Sequence, residues 1–133
     1  MLNTIRSIHL AAVTAALALA PCTARAADLG AEVANARMHA GLAAQGSSIA
    51  AVHSHLHHTI NCLVGPNGTG FDAKELNPCA SDGNGAIPDE TDAAKKKALE
   101  EADNKAAAGL ASSDLAPAQQ DASAVVTMLA NVK

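Results

Sequence analysis

The sequence has almost no aromatic residues: no Trp, no Tyr and one Phe, Phe71. Without ring faces, stacking on nucleobases or sugars is essentially unavailable. Cations are also scarce, with 9 Lys and Arg against 13 Asp and Glu, for a net charge of −4 with histidines neutral. That balance argues against nucleic acid and anionic membrane as partners. Catalytic signatures are missing as well. There is no Gly-x-Ser-x-Gly elbow, no phosphate-cradling loop and no His-Glu-x-x-His pair, so no reaction is named and a non-enzymatic role is favoured. No apolar–polar alternation of useful length appears either, which speaks against a sheet.

A long apolar run occurs at the N-terminus. Arg6 precedes an Ala- and Leu-rich segment from Ile8 to Ala20, and Ala24-Arg25-Ala26 follows as a cleavage motif. The segment is too short to span a bilayer, and the order of parts is that of a secretory signal peptide over residues 1–26. Pro21 stands before Cys22 where a lipoprotein signal needs a small residue, which disfavours that rival. The expected working protein is one domain, residues 27–133, periplasmic or secreted, with no stable membrane insertion after cleavage. Arg6 and Arg25 leave with the signal, taking the net charge from −4 to −6. Cys22 leaves too, and the remaining Cys62 and Cys79 form an even pair that predicts a disulfide in an oxidising compartment.

What remains is rich in Ala and reads as helix. Over residues 28–63, Asn35, Met38, Leu42, Gln45, Ile49, Val52, Leu56, Thr59 and Leu63 recur at spacings of three and four. That is an amphipathic stripe with polar interruptions. Gly41 and Gly46 weaken it, and Ser47 or Ser48 offers a fresh cap, giving one long kinked helix or two that meet near Gly46. Residues 64–88 are dense in turn signals: Gly65-Pro66-Asn67-Gly68, Asn77-Pro78 and Asp82-Gly83-Asn84-Gly85. A loop of that length needs tethering, and a Cys62–Cys79 bridge would stabilise it by about 3 kcal/mol. Helix resumes near Asp89 with a thin face of Leu99, Ala102, Ala106 and Leu110. A last helix follows a cap at Ser113 or Asp114, with its stripe at Leu115, Ala118, Ala122, Val125, Leu129 and Val132. The expected fold is all-α, a small up-and-down bundle of three or four helices with a long disulfide-tied loop. So thin a core is marginal alone, and such domains often rely on a disulfide, a metal or a partner chain.

The chemistry concentrates in one place. His53, His55, His57 and His58 lie within six residues, and His39 is the one other histidine after residue 26. With Leu56 at the centre of the stripe, His53 falls at about +60° and His57 at about +100° on a helical wheel. This i, i+4 pair can reach one metal ion from successive turns. On the other shoulder lie His55, His58 and Cys62, near −100°, −160° and −120° at about 100° per residue. From Met38 to Phe71 there is no Asp, Glu, Lys or Arg. Imidazole nitrogen, with thiolate if Cys62 were reduced, suits copper, zinc or nickel better than magnesium or calcium. The His53/His57 pair is preferred because it leaves Cys62 free to bridge Cys79.

A bland alternative stands beside this one: lone helical histidines are usually solvated, and His39 by itself earns no more. The cluster also fits a pH-responsive contact patch on a non-enzymatic, disulfide-tied interaction module. Non-covalent haem ranks third, since no Cys-x-x-Cys-His attachment pattern occurs and aromatic pocket residues are lacking. Asp82-Gly83-Asn84-Gly85 has the outline of a calcium-loop turn. With Gly85 at the sharp turn, however, Ala80 and Thr91 fall where the first and last carboxylates belong, and the segment reads better as a Gly-rich turn before a helix. The leading expectation is an exported helical protein that buffers, delivers or senses a transition metal. Two histidines half-fill a tetrahedral sphere, so the wheel predicts an ion shared in a homodimer by His53 and His57 of each chain. His39 would stand about 20 Å away along a continuous helix.

Overall fold

A computed structural model describes residues 26–132. The expected signal peptide, with Arg6, Pro21, Cys22 and Arg25, therefore lies outside the described residues apart from Ala26. The described residues form five helices: α1 (Leu29–Ala44), α2 (Ile49–Val64), α3 (Ala86–Asp89), α4 (Ala93–Ala111) and α5 (Leu115–Ala130). Four are long, and each packs on two neighbours in the cyclic order α1, α2, α4, α5. Short turns join α1 to α2 and α4 to α5, which makes those neighbours antiparallel and the whole an up-and-down bundle. No helix among the described residues is long and apolar enough to cross a membrane.

The stripe over residues 28–63 breaks into two helices. α1 ends at Ala44, and Ser48 opens α2 by accepting the Ala51 N–H on Oγ at 3.2 Å. Gly46 sits in the turn, where a Cβ would come within 2.9 Å of Val52 Cγ2. Gln119 of α5 donates to the Gly46 carbonyl at 2.9 Å and fastens this end of the bundle.

Small residues let the helices approach closely. Ala36, Ala40 and Ala43 of α1, Ala102 and Ala106 of α4, and Ala118 and Ala122 of α5 are fully buried around Leu56, Leu63, Leu99 and Leu129. At Gly109 a Cβ would lie 2.8 Å from Leu56 Cδ1, so the glycine lets this leucine pack against α4 without having to shift. The buried face of α1 is shifted from the expected stripe. Met38 and Leu42 remain 53% and 43% exposed, while the alanines and His39 turn inward. Close packing favours the small residues at the seam and leaves the longer side chains at its rim.

The loop after α2 is held as the cysteines predict. Cys62 and Cys79 are bridged, with Cα atoms 5.2 Å apart and both residues buried. Beside the bridge, Asn61 Nδ2 donates to the carbonyls of Asp72 (3.0 Å) and Leu76 (3.1 Å), and its Oδ1 accepts the Asp72 N–H at 2.9 Å. Both ends of the loop meet backbone to backbone through Gly65 and Gly85, at φ 67° and 113°. The stretch expected as loop is not wholly irregular, because Ala86–Asp89 forms one helical turn. α4 starts later than expected, at Ala93, where Asp92 Oδ1 accepts the N–H groups of Ala94 and Lys95, each at 2.9 Å.

Candidate metal centre

The α1–α2 turn determines the site. It folds α1 back along α2, so His39 faces His55 and His58 instead of standing two helical spans away. His39 comes from α1 and is 8% exposed; His55 and His58 come from α2, one turn apart on a partly buried face. Ring centroids are separated by 5.6 Å for His39–His55, 5.0 Å for His39–His58 and 5.6 Å for His55–His58. One nitrogen of each ring lies within 4.8 Å of the others.

The closest pair is informative. Nδ1 of His39 and Nδ1 of His55 are 3.4 Å apart, long for a hydrogen bond between ring nitrogens. Two nitrogens held at 2.0–2.1 Å by one tetrahedral ion stand about 3.3–3.4 Å apart. His58 adds a second sign, because its Nδ1 is buried with no hydrogen-bond partner among the described residues. An orphaned buried nitrogen is costly unless something satisfies it. Its other nitrogen, Nε2, lies 3.5 Å from Glu75 Oε2, and Ser54 Oγ donates to the same oxygen at 3.4 Å. A carboxylate behind a histidine is the arrangement that orients metal-ligating imidazoles.

Electrostatics act on two of the three rings. Burial first, and then the neighbouring His58 and His55, lower the His39 pKa below its ordinary value near 6.5. Burial and His55 lower that of His58, against a smaller opposing pull from Glu75. Both rings are therefore neutral at pH 7, the form that ligates.

The other expected residues have different neighbours. His53 Nε2 lies 2.9 Å from the Ser112 carbonyl in the α4–α5 turn, and donates to it. His57 Nδ1 lies 3.9 Å from Asp72 Oδ2, beyond hydrogen-bond reach, and like that of His58 is buried without a partner among the described residues. Neither belongs to the converging group. Cys62 is bridged to Cys79, so it offers no thiolate to His55 and His58, and of its two expected roles the disulfide is the one present. The stretch free of acids did not leave the histidines without carboxylates, because the tethered loop returns Asp72 and Glu75 to α2. The residue that joins the converging group without having been expected there is His39, and the turn signals at Gly46-Ser47-Ser48 were the clue to it.

Surface clefts run along the α1–α5 seam beside Val33, Arg37 and Val126, and next to Asn67 and Asn84. They lie away from the histidines, whose cluster has the dimensions of an ion site. Comparison with protein-family models, curated proteins and solved structures gives no significant match.

Proposed function

We propose that this protein binds a single transition-metal ion, of the zinc, copper or nickel class, through His39, His55 and His58. The observation that carries the reading is the 3.4 Å separation of His39 and His55 Nδ1, joined by the unpartnered Nδ1 of His58. In this reading Glu75 receives the Nε2–H of His58 and holds that ring in register. Three imidazoles leave one tetrahedral position for water or an exchanging ligand, as suits a buffer, carrier or sensor. Export to an oxidising compartment, proposed from the N-terminal segment and in keeping with the disulfide, would place that role outside the cytoplasm. Three ligands from one chain remove the need for an ion shared between His53 and His57 of two chains. Haem fits less well, because rings at these centroid distances leave no slot for a macrocycle between them.

Metal analysis and sedimentation of residues 27–133 loaded with zinc test the proposal. The expected result is one ion per chain with no metal-driven dimer. One ion per two chains would restore the shared site. A pH response near the histidine pKa that survives complete metal removal, with no tight metal binding, would favour the contact-patch alternative.

A further inference from the structure

The loop that carries Glu75 is fastened to α2 close to His58. Asn61 follows His58 by three residues in α2, so the two lie on neighbouring turns of one face, and Asn61 is fully buried. Its amide brackets Glu75. Nδ2 donates to the carbonyls of Asp72 at 3.0 Å and Leu76 at 3.1 Å, with that of Glu75 at 3.5 Å, and Oδ1 accepts the Asp72 N–H at 2.9 Å. The bracketed segment is itself a bonded turn. Asp72 Oδ1 accepts the Lys74 N–H at 2.9 Å, and the Asp72 carbonyl accepts the Glu75 N–H at 3.2 Å. One side chain therefore fixes the backbone on both sides of Glu75. From that anchor the Glu75 carboxylate runs back along α2, where Oε2 lies 3.5 Å from His58 Nε2 and accepts from the Ser54 hydroxyl at 3.4 Å.

Satisfying the loop backbone explains why a buried asparagine is tolerated here. It does not explain why the held turn aims its carboxylate at the nitrogen of His58 opposite the buried, unpartnered Nδ1. A neutral imidazole carries one proton on either nitrogen, and a carboxylate facing Nε2 draws it there and leaves the lone pair on Nδ1. We propose that Asn61 is the positioning residue of the histidine site: by fixing Glu75 it holds the His58 proton on Nε2 and leaves Nδ1 as the ligating atom. Only the use of that lone pair rests on the metal reading above, because the tautomer belongs to the metal-free protein. His57 supplies the contrast within the same loop contact. Its Nδ1 is also buried, but Asp72 Oδ2 stands off at 3.9 Å, so no carboxylate sets that ring. Selection among the α2 histidines thus depends on a side chain that is not itself a ligand, acting through the loop that follows the helix.

Proton–nitrogen NMR of the imidazoles in metal-free residues 27–133 at pH 8 reads the tautomer of each ring and tests this. The parent is expected to hold His58 in the Nε2–H form. Asn61→Ala is expected to move His58 toward a mixture of tautomers and to weaken zinc binding by about 10–100-fold. Should that variant fail to fold, the isosteric Asn61→Asp withdraws only the donors to Asp72 and Leu76 and supplies the same readout. Glu75→Ala, at a partly exposed side chain, is expected to reproduce both changes. Gln119→Ala loosens the other end of the bundle and is expected to lower the Tm while leaving the His58 tautomer as in the parent, which separates positioning from stability. A parent His58 protonated on Nδ1, or a folded Asn61 variant that keeps the parent's tautomer, overturns the proposal. A parent and variants with the expected tautomers but no zinc binding would support the hold of Asn61 on His58 and overturn the metal site instead.

Discussion

Replacing His39 by Ala tests the histidine site where the structure and the helical wheel disagree most. A four-ligand structural zinc site is worth about 10–16 kcal/mol at pH 7, or about 3 kcal/mol per ligand. Losing one of three protein nitrogens should therefore weaken zinc binding by about 100-fold or more. His53→Ala is the matched control. Its ring bonds to the Ser112 carbonyl at 2.9 Å, and its affinity should stay within about threefold of the parent, well under 1.4 kcal/mol. Competition with a chromophoric chelator at pH 7.5 measures both, with circular dichroism to confirm that each variant is folded. Acid gives an independent check on the parent. Up to three protons compete for the three imidazoles, so well below their pKa values affinity should fall by up to about 1000-fold per pH unit. Because His39 and His58 are held below the ordinary value near 6.5, the steep fall should begin below that pH. The metal-free fold obeys the same sign. A histidine with a depressed folded pKa contributes fully above the unfolded value, and its contribution is lost as pH falls toward the folded one. A folded His39→Ala that binds zinc within threefold of the parent, while His53→Ala with His57→Ala does not bind, would refute the assignment.

Two further outcomes concern stability. Replacing Cys62 and Cys79 together by Ala should cost about 3 kcal/mol in urea unfolding, from the freed loop; a loss below about 1 kcal/mol would mean that Asn61 alone holds it. Burial raises the Asp103 pKa to about 6, and its Oδ1 has no partner among the described residues. A shift of that size, discounted for solvent screening at a partly exposed group, is worth about 1 kcal/mol. The penalty is absent below pH 3.8 and grows as pH rises through 6, so Asp103→Asn should raise the melting temperature at pH 7 and leave it unchanged at pH 3.5.

The helical architecture was legible because 3.6-residue periodicity and cap residues are local signals. Ser48 caps α2 as its position suggested, and Cys62 pairs with Cys79, whereas the cap of α4 is Asp92 and not the earlier Asp89. The face of α1 was harder to read. Met38 and Leu42 dominate any hydrophobicity pattern, yet Ala36, Ala40 and Ala43 fill the interior, because an alanine seam gains its energy from close approach and not from side-chain size. His39 was hidden by treating the stripe as one axis. Once the chain turns at Ser47, residues equally distant from it face each other, and His39 and His55 are each eight positions away. The carboxylates left no local trace. Glu75 reaches His58 through a loop tied by a disulfide and by Asn61, and Glu32 meets Gly85 across 53 positions.

The short turn between α1 and α2 also orders events in time. His39 and His55 are 16 residues apart, and all three ring nitrogens belong to one helical hairpin, α1 and α2. Contacts of such small sequence separation form early, before the pairings that close a bundle. During synthesis or refolding the histidines can meet while α4 and α5 are still unstructured, and an ion captured then would cross-link the hairpin and lower the entropy that later steps must overcome. The second half of the chain supplies none of the three rings. Under the proposed metal site it would act as a cover over a clasp whose three rings all come from the first half.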